Sequence, residues 1–257
     1  MKTGYQSVPL SFNRKMVIAS ASVTKRKNAI HSFAEVDITE SRRIMKEHFE
    51  KTGEKLSLTA YIVTCLAQVI GHHKQLNSFI KGRKLILLDD VNISVLVERE
   101  LEEERFPEPV GIQQAQEKTF RQIQHEIREA VKVQDKRLGG LSKMTWVRFI
   151  PGFLLKKFVS IADRNIPLGI KYGKVAVTAV GMFSREPVWF IPHGSPTVGI
   201  TVGSISKKMV ETEGKPESRE HLCITASFDH DIVDGAPAAR FMSQFIETLK
   251  SGKLIRD

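Results

Sequence analysis

Residues 58–73 read LTAYIVTCLAQVIGHH, and no other stretch limits the possible folds of this chain so tightly. The run is apolar nearly all the way round a helical wheel, so it has no side to give to water and must be a buried helix. A chain of 257 residues is long enough to supply the layers that bury it. Its neighbours alternate between two periods. IHSFAEVDI (30–38) reads as a strand, and TESRRIMKEHFEKTG follows as a helix with Thr39 as N-cap and Gly53 as stop. KLILLDDVNISVLVE holds two strand-like runs around Asp89 and Asp90. Thr119 opens a capping-box pattern with Gln122, after which Phe120, Ile123, Ile127, Ala130 and Val131 recur at helical spacing.

KVAVTAVGMF (174–183) and TVGITVGSI (197–205) are β-rich, with glycines where bulges or close approaches sit. An apolar run from Leu222 to Phe228 stops at Asp229-His230. The last helix carries an apolar stripe of Ala238, Met242, Phe245, Ile246 and Leu249, with Pro237 near its start. No repeat or linker divides the chain, so the expectation is one α/β domain on a mixed sheet. The βαβ cadence and glycine fingerprint of a dinucleotide fold are missing, and so is a Walker-type loop.

The net charge of +10 invites a nucleic-acid reading. The cations, however, come as doublets and triplets such as Lys25-Arg26-Lys27 and Lys156-Lys157, with no long block and no nucleic-acid motif. No nucleic-acid partner is expected; a general positive field equally suits a phosphorylated small molecule. Cys65 and Cys223 lie in apolar runs and read as buried free thiols of a reducing compartment. The first residues carry no apolar signal region, and the expected location is cytoplasmic. Within 141–171, MTWVRFIPGFLLKKFVSIADRNIP mixes aromatic, aliphatic and cationic residues around Pro151-Gly152. The plainer reading is a helix-turn-helix packed on the core; the alternative is a membrane-surface face over 144–159.

His230 is the residue with chemistry to offer. A neutral imidazole can take the proton of a thiol or alcohol within hydrogen-bond reach, and a strand end followed by a tight turn gives such a base rigidity. Asp234 stands where a turn folds its carboxylate back toward the histidine, and Gly235 is read as supplying a φ that other residues resist. The competing reading makes His230 a surface turn residue and Asp234 a helix cap.

The wider stretch ASFDHDIVDGAPAARFMSQFIETL resembles the C-terminal signature of the dihydrolipoyl acyltransferases of 2-oxo acid dehydrogenase complexes: Asp-His, three residues, Asp-Gly, then an Ala-Ala-Arg-Phe helix start. The likeness continues in PLSFNRK, FAEVDIT, QLNSFI and GIQQAQEKTFRQIQHEIREAV, and GKVAVTAVG aligns with the family's central strand. The resemblance implies a chloramphenicol-acetyltransferase-like fold. It also implies acyl transfer between coenzyme A and a thiol such as dihydrolipoyl, with no metal.

On that resemblance His230 is the general base and Thr178 the oxyanion donor, an interaction that can be worth about 3 kcal/mol. Asp234 braces the loop through an ion pair for which Arg14 is the candidate partner, and Asp229, Gly235 and Gly181 support the site. The family implies a homotrimer with sites between subunits, and a lipoyl group only on a separate carrier protein. Departures are Asp231, where the family usually has arginine, and the segment 141–171. No lipoyl or subunit-binding domain is read in the chain, so the expectation is a catalytic domain over 1–257 with an insert at about 141–171. An inactive scaffold or regulator of the same fold is the alternative.

Overall fold

Strands β4 (Ile93–Leu101), β6 (Val175–Ala179) and β7 (Val198–Thr212) lie side by side and parallel in the middle of a six-stranded mixed sheet. The full order is β1 (Ala29–Asp37), β8 (Lys215–Asp229), β7, β6, β4, β5 (Glu104–Ile112), and the outer pairings are antiparallel. A small hairpin, β2 (Ser78–Lys81) with β3 (Lys84–Leu87), turns on Gly82 at φ +61°. The structure, a computed structural model, describes residues 4–25, 27–101, 104–132, 150–181, 184, 186–194, 196–212 and 214–256.

Alternation along β6 gives the sheet two unlike faces. Val175 and Val177 are fully buried in the main core, while Ala176 and Thr178 point the other way. Helices α2 (Thr39–Thr52), α3 (Leu58–Gly71), α4 (Phe120–Lys132) and α7 (Gly235–Ser251) contribute to that core. Helix α3 packs between α4 and α7 and buries every residue from Ala60 to Ile70 except Gln68, as its all-round apolar sequence requires. The Tyr61 hydroxyl donates to the carbonyls of Thr248 (3.0 Å) and Leu249 (2.9 Å) and accepts the Gly252 amide (3.1 Å). It thereby satisfies carbonyls that the end of α7 leaves without helical partners.

The capping box forms as expected: the Thr119 amide donates to Gln122 Oε1 (2.9 Å) and the Gln122 amide to Thr119 Oγ1 (3.3 Å). Gly53 stops α2 at φ +72°. Thr39, expected as N-cap, is the first helical residue instead. Its amide donates to Asp37 Oδ1 (2.9 Å), and its hydroxyl accepts the Glu220 amide (2.9 Å) from β8. Val131 is exposed, so the apolar stripe of α4 ends before its last turn. Cys65 and Cys223 are buried and free, and burial pushes the Cys65 thiol up to about 12.

The segment read as a helix-turn-helix on the core is described only in part, and that part holds two helices joined by a short turn. Residues 133–149 lie outside the described ones, including the first part of the 144–159 face. Helix α5 (Gly152–Asp163) leans on α1 (Phe12–Thr24), and only Leu155 of it is buried. The short α6 (Ile166–Tyr172) packs at β5, where a Cβ on Gly111 would press on the Lys171 carbonyl at 2.8 Å. No described helix is long and apolar enough to cross a membrane.

Candidate active site

Strand β8 ends at Asp229 and the chain turns at once. The Asp229 carbonyl accepts the amides of Ile232 (3.0 Å) and Val233 (2.9 Å), whose side chains are buried and anchor the turn. On the other side the Asp229 amide donates to the Thr197 carbonyl (3.0 Å), and the His230 amide to the Asn28 carbonyl (2.6 Å). His230 itself is exposed. Local turn bonds and the distant partners Asn28 and Thr197 thus fix the backbone under His230 while leaving the residue at the surface.

Charge beneath this turn is paired. The Asp229 carboxylate is 5 % exposed, bonds Lys27 Nζ at 2.9 Å and accepts the Asp231 amide at 3.3 Å. Close by, Lys174 Nζ bonds Asp163 at 3.0 Å; burial pushes that ammonium's pKa down, and Asp163 works against the shift. These two pairs line a pocket of about 170 Å³ together with Asp231. Asp231 itself is engaged elsewhere, with Asn28 Nδ2 donating to its Oδ1 at 2.8 Å.

Asp234 occupies the N-cap position of α7 with extended backbone, but its carboxylate makes no capping bond. Arg14 lies exposed on α1, where its amide bonds the Ser11 hydroxyl (3.2 Å), and no ion pair joins Arg14 to Asp234 within the chain. Gly235 corrects an expectation. It is the first residue of α7, its φ is not in the left-handed region, and a Cβ there meets open space. The turn therefore needs no glycine at that position for its backbone shape. Gly181 is constrained for a different reason. A Cβ on it would collide with the Gly203 carbonyl, where β7 bulges between Val202 and Ile205.

Thr178 lies on the sheet face turned away from the main core. It pairs with Leu96 on one side and Thr201 on the other, and it lines a cavity of about 370 Å³. One row along, the register sets His31 beside Ser227, Ser227 beside Gly199 and Gly199 beside Ala176. His31 Nδ1 and Ser227 Oγ are 2.8 Å apart. Gly199 and Ala176, with little or no side chain, leave the space between that pair and Thr178 open, and residues 191–194 also line it. Lys25 and Lys27 stand at the rim. Asp229 reaches this cavity, but His230 does not line it.

Comparison with known proteins gives the family of the chain. The family model for 2-oxoacid dehydrogenases acyltransferase (catalytic domain) matches residues 2–145 and 169–255. The chain belongs to this acyltransferase family. It is 28 % identical over 257 residues to the lipoamide acyltransferase component of the branched-chain alpha-keto acid dehydrogenase complex of Bacillus subtilis, covering 96 % of this chain and 53 % of that protein. The chain thus spans about half the length of the curated relatives it matches.

The fold agrees. A probable dihydrolipoamide acetyltransferase from Listeria monocytogenes superposes with a TM-score of 0.71 at 22 % identity, covering 96 % of this chain and 95 % of that one. A structure of Azotobacter vinelandii dihydrolipoamide acetyltransferase, solved to investigate a serine, a histidine and an asparagine in its catalytic mechanism, gives 0.71 at 18 % identity, covering 97 % and 93 %. Chloramphenicol acetyltransferase gives 0.51 at 12 % identity, covering 91 % and 92 %. The chloramphenicol-acetyltransferase-like mixed α/β fold expected from the sequence is the fold of this acyltransferase domain.

Within it, the sequence had singled out Thr178 and Asp229, which meet at one cavity, and His230, which lies outside that cavity. His31, Ser227, Thr201 and Lys27 line the same cavity and were not singled out. Lys27 had been visible only as part of a basic triplet. The other three could be found only from the register of strands far apart in sequence.

Proposed function

We propose that this domain moves an acyl group between coenzyme A and a thiol acceptor such as a dihydrolipoyl group. His230, acting as general base, removes the proton of the attacking thiol. The thiolate sulfur bonds to the thioester carbonyl carbon, and the π electrons move onto the oxygen, which Thr178 stabilises by donating its hydroxyl proton in a hydrogen bond. Collapse breaks the old carbon–sulfur bond, and the departing thiolate recovers the proton from the imidazolium. Thioester and thiol exchange places, and nothing is oxidised.

The observation that carries this reading is the separation of the two groups. Thr178 lines a cavity large enough for a thioester, while His230 stands exposed and backbone-pinned outside it. A base presented outward suits a cavity on another copy of the chain, which agrees with the homotrimer that the family resemblance implies, each site being shared between two subunits. Two further facts support it. The Azotobacter enzyme's asparagine follows its histidine at the interval of four that separates His230 from Asp234. Lys25 at the cavity rim and the net charge of +10 suit the phosphates of coenzyme A. The acceptor's lipoyl group belongs to a separate carrier in this reading.

The test is acyl exchange between acyl-CoA and dihydrolipoamide. His230→Ala should lower kcat by roughly 100-fold or more. Equal rates for wild type and variant rule the mechanism out. Trimeric protein with no coenzyme A binding by calorimetry would point to a scaffold instead.

A further inference from the structure

The outward side of α5 is apolar where a surface helix is ordinarily polar. Phe153 is 69 % exposed, Phe158 63 %, Ile161 60 % and Leu154 45 %. At about 100° per residue these four fall on one arc of the helix, away from the buried Leu155. Such a patch of large exposed side chains marks a surface that meets something.

The charges say what kind of surface it meets. Between 151 and 172 the exposed charged residues are Lys156, Lys157, Arg164 and Lys171, all cations. The stretch has one acid, Asp163, and it is tied to Lys174 at 3.0 Å and largely withdrawn from solvent. Two copies meeting through α5 bring Lys156 and Lys157 against their counterparts with no exposed acid on the helix to offset them, which disfavours self-association through this face. Apolar side chains interleaved with cations on one helix are the pattern of a segment lying in an interface of acyl chains and anionic headgroups.

We propose that α5 docks the protein on an anionic lipid surface. Phe153, Leu154, Phe158 and Ile161 enter the headgroup–acyl boundary, and Lys156 and Lys157 sit at phosphate level. The helix lies on the membrane, since no described helix is long and apolar enough to span it. The family model skips residues 146–168, so this docking element is separate from the shared catalytic frame. The proposal does not depend on acyl transfer.

The experiment is vesicle flotation of the full chain with phosphatidylcholine alone and with phosphatidylcholine mixed with phosphatidylglycerol. Flotation with the mixed vesicles only, weakened by salt, is expected. Phe158→Ser combined with Ile161→Ser should abolish it, and Lys156→Gln and Lys157→Gln should each weaken it about fivefold. Unchanged circular dichroism and unfolding midpoints show that these surface variants remain folded. Flotation with neither vesicle, or equally with both, overturns the proposal. So does a lipid-free change of oligomeric state in the Phe158→Ser/Ile161→Ser protein by light scattering, which would make the face a contact between copies. An acidic protein partner that captures wild type while vesicles do not would overturn it as well.

Discussion

Lys27 and Asp229 form a 2.9 Å ion pair one residue before His230, with the carboxylate 5 % exposed. A charge so deeply placed is tolerable only while it is paired, and removing one partner of a buried pair costs far more than the pair itself contributes. Asp229→Ala is therefore expected to lose about 3 kcal/mol of stability in urea unfolding. Asp229 also holds the turn through its contact with the Asp231 amide. Acyl exchange by this variant should fall even at temperatures where it remains folded, because the backbone beneath His230 loosens. A variant with wild-type stability and activity would show that the pair does not organise the turn.

Thr178 offers a cleaner separation of fold from chemistry. Thr178→Val keeps a β-branched residue of similar shape in β6, so unfolding should change by no more than about 0.5 kcal/mol. The lost hydroxyl should lower kcat roughly 100-fold with little change in KM, because its bond to oxygen strengthens only as negative charge develops. Thr178→Ser should recover most of the rate. A matching rise in KM with kcat intact would assign Thr178 to ground-state binding instead.

Gly181 and Gly235 look alike in the sequence, each following a candidate site residue by a short interval, and the structure separates them. An alanine at 181 would collide with the Gly203 backbone, whereas one at 235 meets open space on a helical backbone. Gly181→Ala should destabilise by about 3 kcal/mol or more, and Gly235→Ala should stabilise by about 0.5 kcal/mol. Thermal unfolding of the two proteins checks both signs at once.

That contrast shows what kind of information the sequence holds. Local pattern and composition located α3, the capping box of α4, β6, the first part of β7 and the stripe of α7, because each is decided by neighbours a few residues apart. The cavity beside Thr178 was not legible. Its far end is a pair 196 residues apart, His31 and Ser227, brought together by strand register. The orientation of α5 was equally hidden. Apolar residues occur on more than one side of it, Leu155 inward and Phe153 and Phe158 outward, so periodicity gave no preferred face. His230 was legible as a residue at a strand end, but whether it faces its own cavity is a tertiary fact.

Asp37 predicts a pH dependence. Burial works to raise its pKa, but the Thr39 hydrogen bonds and the Arg219 guanidinium at 3.0 Å outweigh it and hold the carboxyl below the ordinary 3.8. A depressed folded value means that the stabilisation is present above the unfolded pKa and lost as pH falls through the folded one. The stability difference between wild type and Asp37→Asn should therefore be constant near neutral pH and shrink as the pH falls through the ordinary carboxyl range and below it. A difference that does not vary with pH would mean that the amide reproduces every contact of the carboxylate.

The proposed sharing of each site between copies has a direct consequence for mixtures. His230→Ala keeps Thr178, and Thr178→Val keeps His230, so each variant alone builds only defective sites. In trimers that combine both, a site is complete wherever the intact His230 of one subunit meets the intact Thr178 of its neighbour. Random mixing in equal amounts makes about one quarter of the sites complete. Co-expression of the two variants should then restore roughly a quarter of wild-type acyl exchange, while mixing separately folded, non-exchanging trimers restores none. If the histidine served the cavity of its own chain, every subunit would still lack one of the two groups, and co-expressed mixtures would stay as inactive as either parent. Recovery on co-expression therefore separates the shared site from the self-contained one without any structure of the assembly.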